Sequence, residues 1–97
     1  MKKHEAQKNI IKDITKIEDD IIYRYILYAS RSRRVASFEI PLYSIEVIMT
    51  RDGEVSRNSL NEVFADVGKA LSFFEKAAEY LATPIDLPYI FEDRIAF

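Results

Sequence analysis

The chain predicts an α+β domain, a three-stranded antiparallel β-meander followed by one long and one short C-terminal α-helix. Three observations carry this. Residues 21–29, IIYRYILYA, are dense in isoleucine and tyrosine, the residue types that suit a pleated, packed surface. Asp52-Gly53 is the dipeptide of a two-residue type I′ hairpin turn, which needs positive φ at both positions. Val67, Ala70, Leu71, Phe74, Ala77, Ala78 and Leu81 recur at helical spacing and form one apolar stripe.

Residues 1–9 are polar and read as a flexible tail ahead of a single domain over 10–97. Ile10, Ile11, Ile14 and Ile17 fit helical spacing, yet the segment is short and β-branched, which weakens a helix. Residues 10–18 therefore stay open between helix and strand.

The first strand is 21–29. Its odd positions are apolar or aromatic throughout, and its even positions (Ile22, Arg24, Ile26, Tyr28) are only partly polar. Such a strand is covered on one side by core and on the other by something else. A second strand runs from about Phe38 to Thr50. Its apolar phase flips at Pro41-Leu42, which predicts a bulge or an edge position because proline cannot donate to a ladder. The Asp52-Gly53 turn returns the chain into a weaker third strand within 55–65.

Asp66 is placed to cap the long helix. Thr83-Pro84 ends it and starts the next, with Thr83 as cap, Pro84 at the first position and Asp86 at the third. Pro88 breaks continuity, so a single 3₁₀ turn ahead of a short helix over 89–95 is expected.

Ninety-seven residues, 48% hydrophobic and 31% charged, with two glycines and three prolines, describe one folded domain rather than a disordered chain. No cysteine is present, which excludes disulfides, thiolate metal sites and cysteine nucleophiles. The single histidine, His4, lies in the polar tail and cannot assemble a metal site alone. The N-terminus lacks the apolar run of a signal peptide, and nothing approaches a membrane span. The plain expectation is a cytoplasmic protein without a membrane role.

The formal charge is −2, unevenly placed. Residues 1–34 carry nine Lys/Arg against five acids, and residues 35–97 five against eleven. Such asymmetry suits self-association or an anionic partner for the N-terminal part.

Catalytic constellations are not evident. Asp19-Asp20 reads as a turn and Glu92-Asp93 as a solvated helix end, since neighbouring acids point apart. The serines have no histidine base and no nucleophile elbow. Gly53 and Gly68 stand alone, without the clustering of a phosphate cradle. No enzyme, no cofactor and no metal are expected.

The reading is a small binding or interaction protein that self-associates, as a homodimer or on another protein. Tyr28, Phe73 and Tyr80 are its expected contact surface, with Arg31, Arg33 and Arg34 as an anion-facing cluster. The second reading is a single-stranded nucleic-acid module that stacks bases on Tyr23 and Tyr25 beside the Arg31-Ser32-Arg33-Arg34 loop.

Tyr23-Arg24-Tyr25-Ile26-Leu27-Tyr28, the strand Leu42–Val47, the Asp-Gly turn, the Asp-capped helix and Thr83-Pro84-Ile85-Asp86-Leu87 followed by Ile90-Phe91-Glu92-Asp93 together resemble a small bacterial family of unknown function, common in spore-forming Firmicutes. The similarity spans roughly residues 22–95. Members of that family close on a tail of the type P-x-H-L-x-x-V-x-E-D. Here Asp86 stands where that tail carries histidine, and Pro88 follows, so no ligand role carries over. The resemblance implies a cytoplasmic bacterial accessory protein and no mechanism.

Overall fold

Four strands, β1 (Lys8–Glu18), β2 (Ile21–Val35), β3 (Phe38–Arg51) and β4 (Glu54–Phe64), form one antiparallel sheet in the order β1-β2-β3-β4. Two helices, α1 (Val67–Glu79) and α2 (Asp86–Ala96), follow and pack against one face of β2, β3 and β4. This computed structural model describes the backbone of residues 8–35 and 38–96, and the side chains of residues 8–30 and 41–92.

The α+β class and the two C-terminal helices agree with the expectation, but the meander has four strands rather than three. The added strand is β1, which includes Lys8 and Asn9 from the expected tail. Its tie to β2 is a two-residue turn, Asp19-Asp20, in which both residues take positive φ (53° and 67°). That is the backbone of a type I′ hairpin, made without glycine because a short Asp side chain tolerates the left-handed region. The Asp52-Gly53 turn has the same form, with φ of 53° and 81°.

A bulge between Ile10 and Lys12 shifts the parity of β1, so Ile10 pairs with Tyr28 while Ile14 pairs with Tyr25 on the other face. A second irregularity lies between Ser30 and Arg33, opposite Pro41, as the phase flip predicts. A third falls between Tyr43 and Ile45, where Glu62 takes a φ of 55°. It is held by Glu62 N–H donating to Ser44 Oγ at 2.8 Å and Ser30 Oγ donating to Glu62 Oε2 at 3.0 Å.

The core lies between the sheet and the helices: Tyr23, Tyr25 and Leu27 from β2, Ile45 and Val47 from β3, Phe64 from β4, and Ala70, Phe73, Phe74, Ala77 and Ala78 from α1. The alanines let α1 approach the sheet closely. Phe74 and Leu87 are fully buried, each contributing about 2 kcal/mol by removal from water.

Local chemistry places the helices. Asp66 Oδ1 accepts from Gly68 N–H at 2.8 Å and Lys69 N–H at 3.1 Å, capping α1. At the far end Ala82 N–H donates to Ala77 O and Leu81 N–H to Ala78 O, with Leu81 at φ 55°, which is a Schellman stop without glycine. Thr83 and Asp86 then exchange hydrogen bonds, each side-chain oxygen accepting the other's N–H at 3.2 Å. This is a capping box with aspartate in the acidic position. Pro88 lies near the start of α2, which begins at Asp86 and not at Tyr89.

Candidate interaction face

Strand alternation assigns every paired position to one of two faces. The helix-side face holds the core. Among the described residues no helix lies over the other face, and its polarity departs from the alternation expected of a solvated sheet.

The register aligns this face into cross-strand rows. Nearest the hairpin turns, Ile17, Ile22, Thr50 and Val55 are mutually paired across all four strands. Ile17 is 67% exposed, Ile22 41% and Val55 57%. Thr15, Arg24, Ile48 and Arg57 form the next row, and Asp13, Ile26, Glu46 and Ser59 the one beyond. Ile10, Tyr28 and Ser44 follow.

Charges on these rows are paired on the diagonal. Arg24 makes a bidentate contact to Asp13, Nε to Oδ1 at 3.1 Å and Nη2 to Oδ2 at 2.7 Å. The Arg24 guanidinium holds the Asp13 carboxyl below its ordinary value. Arg57 Nη1 lies 3.5 Å from Glu46 Oε2, and Tyr28 OH donates to Glu46 Oε1 at 3.0 Å. Partial burial and the Glu46 carboxylate together push the Tyr28 phenol above its ordinary value. The Lys8 ammonium sits 5.2 Å from the Tyr28 ring centre, a cation–π contact.

Two of the hollows among the described residues open on the sheet. One, of about 140 Å³, lies between Lys8, Tyr28, Ser44, Ile45, Glu46, Ser59 and Asn61. The larger, about 510 Å³, is lined by Met49, Arg51, Asp52, Glu54, Val55 and Ser56. All of these belong to one hairpin, so the second hollow is the concave side of a twisted ribbon with no second wall. Among the described residues no three His, Asp or Glu side chains converge as a metal set would.

The expected contact residues separate. Tyr28 lies on the helix-free face, half-buried. Tyr80 is 74% exposed at the C-cap of α1, on the other side of the sheet. Phe73 is 3% exposed and belongs to the core, its ring 5.6 Å from Phe64 and 5.9 Å from Phe91. Its place on the flank of the stripe is covered by α2, so it cannot serve as a contact residue. Arg31, Arg33 and Arg34 have backbone within β2, and their side chains lie outside the described residues.

Tyr23 and Tyr25 do not form a stacking platform, because both lie in the core beneath the helices. Tyr25 OH donates to Ala82 O at 2.8 Å in a buried bond, and burial raises its phenol well above the ordinary range. Through this bond Tyr25 holds the α1–α2 connection on the sheet.

Sequence reasoning missed Ile17, Ile22 and Val55 as one surface. Their alignment depends on β1 being a strand, which the helix-like spacing of its isoleucines left open against a helix. Among the described residues no helix is long and apolar enough to cross a membrane. Comparisons with family models, curated proteins and solved structures find no match to this chain.

Proposed function

We propose that this chain is a small non-catalytic interaction protein that works by self-association. The observation that carries this reading is the exposed apolar row Ile17–Ile22–Val55 on a sheet face that no helix among the described residues covers. A solvated antiparallel face carries polar residues at these alternate positions. Here β2 instead places Ile22 and Tyr28 on it, with Ile26 between them already buried within the chain, and β3 adds Ile48.

The β1 edge is a weaker candidate for the contact. Its bulge, Lys8, Lys12 and Lys16 are devices that discourage strand addition. One of these lysines is further engaged, Lys12 Nζ lying 2.8 Å from Glu75 Oε2 on α1. The face therefore has the stronger claim.

Ultracentrifugation across a range of chain concentrations tests the reading. A reversible monomer–dimer equilibrium insensitive to salt is expected, since apolar burial does not depend on counterion release. A single monomeric species throughout would sink it.

A further inference from the structure

We infer that the partner on the helix-free face is a second copy of this chain, laid sheet on sheet about a two-fold axis parallel to the strands. This rests on the self-association reading and adds which face meets which.

The first argument is size. Four strands about 4.8 Å apart and about eleven residues at 3.3 Å each span roughly 19 by 36 Å, on the order of 700 Å². A standard stable interface takes about 800 Å² from each partner. One face of this sheet supplies nearly that area, with nothing left over for a larger surface.

The second argument is charge and apolar complementarity. A two-fold axis running between β2 and β3 sets β1 of one copy over β4 of the other, and β2 over β3. Within the outermost row this places Ile17 over Val55 of the second copy and Ile22 over Thr50. Arg24 then falls over Ile48 with Glu46 of the second copy one row away, and Arg57 falls over Thr15 with Asp13 one row away. No charge lies directly over its like. A two-fold axis across the strands would instead set the apolar row against the polar far end near Ser44. In the rows nearest the turns Asp13 and Glu46 are already paired with Arg24 and Arg57 within each copy, and the cation Lys8 stands at the far end over Tyr28. The apolar end therefore has no net charge to hold a polyanion or a charged membrane surface.

The chain has no cysteine, so single cysteines report geometry directly. Ile17→Cys protein is mixed with size-tagged Val55→Cys protein and treated with a bismaleimide linker spanning about 10 Å, the separation of stacked sheets. A mixed covalent dimer in excess over either self-linked product is expected. Tyr80→Cys mixed with Val55→Cys should give none. Ile22→Asp, folded by circular dichroism, should weaken the dimer about a hundredfold. A wild-type dimer that survives Ile22→Asp and gives no Ile17–Val55 product would overturn the sandwich while leaving self-association standing. A wild-type chain that is monomeric at every concentration would overturn both.

Discussion

Asn58 Nδ2 donates to the Pro84 carbonyl at 3.0 Å, and that carbonyl is the one Pro88 leaves without its helical donor. The bond from Leu87 N–H to Thr83 O begins the helical ladder of α2. The next bond would run from residue 88 to residue 84, and proline has no N–H. A side chain from β4 fills the gap and fastens the start of α2 to the sheet.

This relationship predicts coupling. Asn58→Ala should cost about 1 kcal/mol, a lost hydrogen bond with an orphaned carbonyl. In a Pro88→Ala background the restored N–H can serve Pro84, and the same substitution should cost less than half as much. Denaturant unfolding of the four proteins measures the cycle. Equal costs in both backgrounds would mean that Asn58 acts elsewhere.

Tyr25→Phe should destabilise the chain by about 1–3 kcal/mol, because Ala82 O loses its buried donor. It should also alter the alkaline limb of stability. The folded-state pKa values of Tyr25 and Tyr28 are both raised. Their contribution is complete below the unfolded value of about 10 and is lost as pH rises above it. Tyr25→Phe should flatten this limb and leave a residue due to Tyr28. Urea midpoints from pH 8 to 11 report it, and an unchanged slope in the variant would contradict the assignment.

The Asp13–Arg24 pair acts at the other end of the scale. Asp13 is held below its ordinary value in the folded chain, by the Arg24 hydrogen bond first. Its contribution is present above the unfolded carboxylate pKa of about 3.9 and disappears as pH falls through the lower folded value. Asp13→Asn should flatten the stability curve in that acid window. Its cost is small because the pair is solvent-accessible, is present in full at pH 7 and vanishes below the window. Urea midpoints between pH 2 and 6 check this.

Asp20 holds a φ of 67° in a turn without glycine. Asp20→Gly should stabilise by about 0.5 kcal/mol, the relief of left-handed strain exceeding the entropy of the freer residue. Gly53→Ala, at φ 81° with open space around its Cβ position, should destabilise for backbone reasons alone. Thermal unfolding orders the three proteins.

The helices were legible because their signals are local. Asp66, the stripe from Ala70 to Ala78 and the Thr83 cap each act within a few residues and appear where expected, whereas Leu81 falls outside α1 in its left-handed stop and α2 starts three residues early, at Asp86. Pro41 likewise marked a real bulge. β1 was only half-legible, open between helix and strand, because the bulge at Ile11 breaks the period of two. Asp19-Asp20 was read as a turn, but without glycine it did not mark a hairpin. Phe73 was misplaced for a tertiary reason, since Phe64 and Phe91 close over it from elements distant in sequence. The candidate face was half-legible. The apolar even phase of β2 already required a second cover, but its continuation through Ile17 and Val55 exists only in the register.

The most direct measurement is the solution mass of the wild-type chain by light scattering at low and high salt. A mass of twice the 11.3 kDa chain, unchanged at high salt, is the predicted result, because the face proposed to join two copies is apolar at one end and pairs Asp13 with Arg24 and Glu46 with Arg57 beside it. A mass of one chain under both conditions would contradict the account.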